Sequence, residues 1–222
     1  MPKRVDSEAI YYPVFLNVKG RRCAVIGGGE VALRKVITLL KDGAKVTVIS
    51  PELCLELASL AKEKKIKYAA REYKSGDLKG VFVAIAATDN SIINRRVAAE
   101  ARKQAALVNV VDDAGESDFI APAIIRRGEI TIAISTSGQS PALARKLRVK
   151  LENEFGEEYG RLGRLIGEAR AQAKKLKITV DGEGWQAALD IEKLLSLIKK
   201  GEEKKAKETL LSNLKARQKK NK

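Results

Sequence analysis

A glycine-rich turn at residues 27–32, with the sequence GGGEVA, has the clearest potential for chemistry in this chain. Its spacing fits the pattern G-x-G-x-x-[GA], in which Gly27 permits a tight turn and Gly29 lets a pyrophosphate approach the backbone. Ala32 then allows close packing of a helix on a strand. Phosphates would lie on the free N–H groups at the positive end of that helix. If a strand precedes the turn and a helix follows it, the pattern predicts a dinucleotide site and not merely a flexible turn.

The other end of such a ligand needs a residue that binds the adenosine ribose, about 20 residues after the glycines. The chain has Ser50, Pro51 and Glu52 in this region. Ser50 holds the usual position of the acidic residue, and Glu52 comes slightly late. No arginine is adjacent to neutralise a 2′-phosphate, so the sequence favours NAD over NADP.

A second group of candidate ligands surrounds Ser140, a predicted helix N-cap that is followed by Pro141 at the first helical position. Small polar residues precede it and basic residues follow it: Ser135, Thr136, Ser137, Gly138, Arg145, Lys146, Arg148 and Lys150. Two interpretations stay open at this point. The segment is either a second anion site at a helix N-terminus or a solvated basic helix face.

The elements that position the glycine turn follow from the hydrophobic pattern. Apolar, β-branched runs predict strands over residues 21–27, 44–50, 65–72, 80–88 and 106–112. Helical spacing predicts helices over residues 30–43, 52–64 and 91–104. Because strands alternate with helices, we expect an α/β fold with a parallel sheet and right-handed crossovers. The glycine turn then connects the first strand to the first helix.

The pattern changes beyond residue 112. Two apolar segments around Arg127 and Gly128 predict a hairpin within residues 119–134. After residue 156 the chain is polar and helical, with two apolar stripes that predict packing surfaces, Leu162, Leu165, Ile166 and Ala169, and Leu189, Leu194, Leu195 and Ile198. The lysine-rich residues after Leu211 lack a clear stripe, so we expect a frayed and dispensable tail.

Composition and charge limit the function classes. The chain has no histidine, which excludes histidine-based acid–base chemistry and histidine metal ligands, and Cys23 and Cys54 have no metal-binding spacing, so no metal site is predicted. Aromatic residues make up 5%, which argues against binding single-stranded nucleic acid by base stacking. We find neither a transmembrane stretch nor a signal peptide and expect a cytoplasmic protein without nucleic-acid or membrane partners.

The net charge of +15 is uneven, since residues 161–222 carry 17 Lys and Arg against 8 Asp and Glu. A basic surface attracts polyanions, including a substrate with many carboxylates. The alternative is a solvated helical face.

Several motifs occur in an order that resembles a known family: YYPVFLNVKGRRCAVIGGGEVALRK, AIAATDN, NVVDD and FIAPAIIRRGEITIAISTSGQSPALARKLR. Over residues 11–155 the chain is similar to the siroheme synthase family, in particular to its precorrin-2 dehydrogenase/sirohydrochlorin ferrochelatase module, without the methyltransferase domain of longer members. The resemblance implies NAD-dependent oxidation of precorrin-2 to sirohydrochlorin. Insertion of Fe²⁺ to give siroheme is a second activity in some members.

Two alternatives stay open beside this interpretation. One is a dehydrogenase without the iron-inserting activity. The other is an NAD-sensing regulatory Rossmann domain, which would share the glycine turn but would give no reason for NVVDD or STSGQSP.

The resemblance also implies roles for individual residues. Cofactor contacts fall on Glu30 and Val31, on Pro51 and Glu52, and on Ala86 and Thr88 beside the nicotinamide ribose. The first aspartate of NVVDD, Asp112, matches the family's catalytic aspartate, whereas Asp113 is expected to be a turn residue. Thr136 stands where some members have a serine in the tetrapyrrole cleft.

The arginines near this cleft are candidates for bidentate pairing with substrate carboxylates, namely Arg126, Arg127, Arg145 and Arg148. The family fold implies an N-terminal NAD-binding Rossmann domain over residues 1–113 and a central α+β dimerisation and substrate-cleft segment over 114–155. A small helical domain with a basic tail, 156–222, completes the predicted homodimeric subunit.

Overall fold

A computed structural model of the protein describes residues 11–111 and 113–218. The chain forms two compact units, and the division between them falls between Ala121 and Pro122. The three-part division predicted from the sequence, with boundaries after residues 113 and 155, stays a prediction.

The first unit is a parallel α/β sheet, as predicted. Its elements are β1 (Arg22–Ile26), α1 (Glu30–Lys41), β2 (Lys45–Ser50), α2 (Leu55–Lys62), β3 (Lys67–Ala70), β4 (Val83–Ala86), α3 (Ser91–Lys103) and β5 (Leu107–Val110). The strands lie in the order β3-β2-β1-β4-β5, and every pair is parallel. The strands are shorter than the apolar runs that predicted them, because the runs continue into the turns.

Two hydrophobic clusters bury the two faces of this sheet. Side chains alternate across a strand, so Cys23 and Val25 of β1 lie in one cluster while Ala24 and Ile26 lie in the other. Helices α1 and α2 contribute to the first cluster and α3 to the second. Val36 of α1 has no exposed surface, and full burial of such a side chain contributes roughly 1.5–3 kcal/mol. From Cys23 to Ile26, the central strand β1 is therefore buried on both faces.

Helix α1 ends as the sequence predicts. Asp42 is the last capping residue, and Gly43 follows in the left-handed region with φ +77°. The N–H of Gly43 donates to the carbonyl of Leu40 at 2.9 Å. Glycine is favoured here because it has no Cβ to clash in the left-handed conformation.

The second unit joins a hairpin to a group of helices. Its elements are β6 (Ala123–Arg127), β7 (Ile130–Ile134), α4 (Pro141–Glu154), α5 (Glu157–Lys175), α6 (Gly182–Ala188), α7 (Ile191–Lys199) and α8 (Glu203–Ala216). The hairpin is antiparallel, with Arg127 opposite Ile130. Ser140 caps α4 by accepting a hydrogen bond from the N–H of Leu143 at 3.2 Å, with Pro141 at the first helical position. The sequence predicted both residues of this cap.

Both predicted apolar stripes pack into one cluster in the helical part of this unit. The expectation that no such stripe continues after Leu211 is wrong. Leu214 is completely buried in that cluster, and α8 extends to Ala216. A solitary leucine between polar residues gives little periodicity, which is why the sequence pattern did not reveal it.

Within residues 11–111 and 113–218, no helix combines the length and apolar character that crossing a bilayer requires.

Candidate functional site

A cavity of about 590 Å³ lies at the carboxyl edge of the parallel sheet. The sheet order reverses at β1, which has β2 on one side and β4 on the other, and open α/β sheets bind ligands in the crevice at such a point. The described residues that line the cavity are Ile26, Gly27, Gly28, Gly29, Glu30, Val31, Ile49, Ser50, Pro51, Glu52, Leu53, Cys54, Glu72, Tyr73, Ala87, Thr88, Asp89 and Ile93.

The three glycines of the turn have different surroundings. Gly27 has φ +125°, and a Cβ on it would overlap the carbonyl oxygen of Ala87. A Cβ on Gly28 would overlap the carbonyl oxygen of Glu52. A Cβ on Gly29 would meet no atom within 4 Å. The space beside Gly29 is open, and the predicted approach of a pyrophosphate to its backbone stays a prediction.

Gly28 has the tightest surroundings of the three, although the sequence pattern predicted no role for it. Besides the clash with Glu52, its Cβ would lie 2.7 Å from the Ser50 hydroxyl oxygen. The carbonyl of Gly28 accepts a hydrogen bond from the N–H of Cys54 at 2.8 Å. The glycine turn and the β2–α2 loop therefore touch through their backbones, and a larger residue would separate them.

The first turn of α1 faces the cavity with Glu30 and Val31. Gly29 is the N-cap, and as a glycine it has no side chain that could accept a hydrogen bond from the first turn. The first N–H groups of a helix have no partner within the helix, so these donors and the positive end of the dipole are suited to a phosphate.

The residues predicted to bind the adenosine ribose lie at the carboxyl end of β2 and just after it. Ser50 is buried, Glu52 is exposed, and both line the cavity together with Pro51. The Tyr68 hydroxyl donates to the Pro51 carbonyl at 3.1 Å and so ties this loop to β3. A carboxylate at Glu52 can accept hydrogen bonds from ribose hydroxyls.

The residues that follow the carboxyl end of β4 form another wall of the cavity. Ala86 is fully buried inside the sheet, and the cavity is lined by the next three residues, Ala87, Thr88 and Asp89. Asn94, a buried residue of α3, accepts from the Thr88 hydroxyl at 2.7 Å and donates to the Thr88 carbonyl at 2.9 Å. Asn94 was not among the site residues predicted from the sequence. A polar residue at helical spacing with the apolar Val97, Ala98 and Ala101 was the available signal.

The exit of β3 adds Glu72 and Tyr73 to the cavity lining. The Tyr73 hydroxyl donates to the carboxylate of Glu100, which is itself buried in α3. Glu100 also accepts from the backbone N–H of Gly76 at 3.0 Å and of Leu78 at 3.1 Å. Burial, and then the bond to Glu100, raises the pKa of Tyr73 far above its usual range, so its hydroxyl stays protonated. This cluster anchors the β3–β4 connection to α3.

A bidentate ion pair supports the same connection. Arg71 donates to the two carboxylate oxygens of Asp77 at 2.8 and 2.7 Å. The hydrogen bonds from Arg71 are the main cause that lowers the pKa of Asp77 below its usual range.

The predicted catalytic residue, Asp112, lies outside the described residues. Its neighbour Asp113 is exposed, and its carboxylate accepts from the N–H of Glu116 at 3.1 Å. The Ser117 hydroxyl donates to the Asp113 carbonyl at 2.7 Å. Asp113 therefore stabilises a turn after β5, which is the structural role expected for it.

The second unit holds the residues predicted to bind the substrate. Thr136 accepts from the N–H of Ser140 at 3.0 Å, and Ser137 and Gly138 both have positive φ, of 51° and 86°. Arg145 is exposed on α4, whereas Arg148 pairs with Glu152 at 2.6 Å. These residues lie in the loop before α4 and in that helix.

Arg127, a further candidate for pairing with substrate carboxylates, has other partners in the structure. Its Nε donates to the Phe155 carbonyl at 2.8 Å and its guanidinium also reaches the Glu152 carbonyl at 3.3 Å. It thus satisfies carbonyls at the C-terminal end of α4.

One group of metal-ligand types occurs among the described residues. The Cys54 thiol and the carboxylates of Glu30 and Glu56 offer ligand atoms that lie within 4.8 Å of one another. Both glutamates lie in the first turn of a helix, where the helix dipole favours a carboxylate without any metal. We therefore assign no ion to this group.

Two family models match the chain. An NAD(P)-binding family matches residues 14–123, and the family described as sirohaem biosynthesis protein central matches residues 127–154. The siroheme synthase of Chromobacterium violaceum is 42% identical over 182 residues, which cover 81% of this chain and 39% of that protein. The siroheme synthase of Photobacterium profundum is 39% identical over 204 residues, or 91% of this chain and 43% of that protein. The chain thus spans about two fifths of the length of these curated relatives.

A solved structure named SirC, precorrin-2 dehydrogenase, is similar over almost the whole chain. The TM-score is 0.70 with 25% sequence identity, and the similarity covers 93% of this chain and 100% of that one. This likeness extends over both compact units, beyond the reach of the two family models.

Proposed function

Since the chain belongs to the siroheme synthase family, we propose that it oxidises precorrin-2 to sirohydrochlorin with NAD as the coenzyme. The observation that carries the proposal is the cavity at the carboxyl ends of β1, β2 and β4, which is lined by the glycine turn and by the acidic residue Glu52. A chain with the name precorrin-2 dehydrogenase, similar along its whole length, supports the same reaction.

The coenzyme would bind with its pyrophosphate on the turn from Gly27 to Val31 and its adenosine ribose beside Ser50 and Glu52. Of the described residues that line the cavity, none is lysine or arginine, and Glu30, Glu52, Glu72 and Asp89 are acidic. A 2′-phosphate would meet carboxylates and no counter-charge, which favours NAD over NADP. Thr88 would then border the nicotinamide ribose.

The reaction removes one hydride and one proton from precorrin-2. NAD supplies the hydride acceptor when it is bound. The protein must supply the proton acceptor, and in a chain without histidine we assign this role to Asp112, two residues after the end of β5. A carboxylate there can take the proton as the carbon–hydrogen bond breaks, which is general-base catalysis.

The substrate carries several carboxylates, and we propose that the loop before α4 and the helix itself bind them. Thr136, Ser137 and Gly138 precede the N-cap of α4, and Arg145 and Arg148 follow it. Arginine suits this role because its guanidinium pairs with a carboxylate through two hydrogen bonds. Arg148 would have to exchange its partner Glu152 for the substrate, while Arg145 is exposed.

We propose insertion of Fe²⁺ as a second activity of the same protein, on the ground that its relatives carry the name siroheme synthase. The macrocycle itself ligates the metal, so the protein would only need to remove pyrrole N–H protons, which Asp112 could also accept. The alternative is a dehydrogenase alone, and the name of the similar solved structure favours it.

We further propose a homodimer that forms through residues 114–150. Three apolar side chains of α4 are exposed in the single chain: Leu143 by 49%, Leu147 by 38% and Val149 by 47%. Exposed apolar surface of this kind is typical of a partner interface. Light scattering at several protein concentrations tests the dimer, and a monomer mass at all of them contradicts it.

One assay tests the proposed activity. Purified protein is mixed with NAD and with precorrin-2 generated in situ, with and without Fe²⁺, and the absorbance spectrum is followed. We expect NAD-dependent formation of sirohydrochlorin, and a further change with Fe²⁺ only if the protein also inserts iron. A spectrum that does not change with NAD contradicts the proposed oxidation.

A further inference from the structure

We propose that Asn94 is a positioning residue for the coenzyme. Asn94 acts through Thr88, which it fixes at the wall of the cavity. This inference rests on the proposed NAD-dependent function. It adds a residue from the buried face of α3 to a site that is otherwise formed by strand ends and loops.

The side chain of Asn94 contacts every polar group of Thr88. Its Oδ1 accepts from the Thr88 hydroxyl at 2.7 Å and faces the Thr88 N–H at 3.4 Å. Its Nδ2 donates to the Thr88 carbonyl at 2.9 Å. The orientation of the amide is fixed, because a rotated amide would set Nδ2 against the N–H and Oδ1 against the carbonyl.

Burial makes this arrangement rigid. Asn94 is 8% exposed and belongs to the face of α3 that packs on the sheet. The N-terminus of α3 is capped by Asn90, whose side chain accepts from Ile92 and Ile93 N–H groups at 2.9 and 3.2 Å. A buried amide that loses its partners is costly, so the three contacts favour this one arrangement of Thr88.

The position of Thr88 in turn determines the position of the glycine turn. The carbonyl of Ala87 lies against Gly27 so closely that a Cβ on Gly27 would overlap it, and the Thr88 nitrogen would be 3.4 Å from the same Cβ. A shift of the β4 exit would therefore change the space beside the turn that receives the pyrophosphate.

The hydrogen bond to Asn94 also sets the direction of the Thr88 hydroxyl hydrogen, and so which part of the hydroxyl group a ligand can reach. A hydroxyl has a single hydrogen, and the contact with Asn94 Oδ1 at 2.7 Å is shorter than the one with the Asn90 carbonyl at 3.2 Å. With its hydrogen directed to Asn94, the Thr88 hydroxyl oxygen accepts from the N–H of Asn90 at 3.2 Å with one lone pair, and the other lone pair is available to a ligand in the cavity. It can then accept from a ribose hydroxyl or from the carboxamide of a nicotinamide.

The test compares Asn94→Ala, Asn94→Asp and Thr88→Val with the wild-type chain of 222 residues. Asn94→Asp keeps the size of the side chain but sets a carboxylate oxygen against the Thr88 carbonyl. This variant tests the role of Asn94 in NAD binding if Asn94→Ala does not fold. We expect the dissociation constant and the KM for NAD to rise about tenfold or more in both Asn94 variants, while the KM for precorrin-2 is unchanged. Thr88→Val should raise the same two constants.

Asn213→Ala is the matched control. Asn213 lies in α8 of the second unit, where its Nδ2 donates to the Ala188 carbonyl at 3.1 Å. This substitution also removes a side-chain amide that bonds to a backbone carbonyl, and it should lower the Tm without any change in NAD binding.

Folded Asn94 variants that bind NAD like the wild type overturn the inference. A fall in kcat with unchanged NAD affinity also overturns it, because the role assigned to Asn94 is in coenzyme binding. In both cases wild-type turnover would leave the proposed function intact. A wild-type protein that does not bind NAD contradicts the proposed function and this inference together.

Discussion

Substitution of the middle glycine, Gly28→Ala, should destabilise the first unit and weaken NAD binding together. The new Cβ would overlap the Glu52 carbonyl oxygen and lie 3.0 Å from its carbon and 2.7 Å from the Ser50 hydroxyl oxygen. Two of these atoms belong to the backbone, so the β2–α2 loop has to move. Overpacking of this kind costs about 1–3 kcal/mol, and the hydrogen bond from Cys54 to Gly28 that would be strained contributes about 0.5–1.5 kcal/mol.

We therefore expect Gly28→Ala to lower the free energy of unfolding by roughly 2–4 kcal/mol, the middle of the combined range. For a chain of this length each kcal/mol shifts the Tm by about 2–4 °C, so a loss of at least 4 °C is expected. Circular dichroism during heating measures it, and titration calorimetry measures NAD binding.

Gly29→Val is the comparison that separates stability from binding. Gly29 has φ −89°, which any residue can adopt, and its Cβ would meet no atom within 4 Å. This variant should keep the Tm of the wild type but bind NAD more than tenfold more weakly, about 1.4 kcal/mol, because the valine occupies the space of the pyrophosphate. Wild-type stability in Gly28→Ala, or an unchanged NAD titration in folded Gly29→Val, would refute this account of the turn.

Three further predictions concern other parts of the chain. Asp112→Asn should leave NAD binding nearly intact and lower the rate of precorrin-2 oxidation by about 10²-fold or more, whereas Asp113→Asn should do far less; a near wild-type rate in the Asp112 variant would end its catalytic assignment. Asp77→Asn should lower the Tm at neutral pH, because Arg71 lowers the pKa of Asp77 and the resulting stability is present above the unfolded pKa of about 3.9 and lost as the pH falls through the folded value. A Tm difference between wild type and Asp77→Asn that does not shrink in acid contradicts this. Leu214→Ala should lower the free energy of unfolding by about 2–5 kcal/mol in urea titrations, and an unchanged midpoint would mean that Leu214 is not packed in the helical core.

Much of the fold could be predicted from the sequence because local signals and tertiary packing agree. The serine–proline pair at 140 and 141 starts α4, and the apolar spacing around Val36 predicts the buried face of α1. The parallel sheet follows from the alternation of strands and helices alone. The glycine turn was predicted for the same reason, since its chemistry depends on residues next to one another in sequence.

The parts that could not be predicted depend on contacts between distant segments. The requirement at Gly28 arises from the backbone of Glu52, and the bond between Tyr73 and Glu100 joins the end of β3 to α3. The sequence around each of these residues does not indicate its distant partner. The contacts of Arg127 could not be predicted for the same reason, because only the folded chain brings its guanidinium to the last carbonyls of α4.

The strand order determines the stage of folding at which NAD can first bind. In the central pairing Cys23 of β1 lies opposite Val83 of β4, and that contact closes a longer loop of chain than the pairing of β1 with β2. Contacts so far apart in sequence form slowly. The cavity needs the exits of both β1 and β4, so a chain that is still being synthesised cannot capture NAD until β4 has joined β1. From then on, bound NAD should stabilise this pairing by mass action.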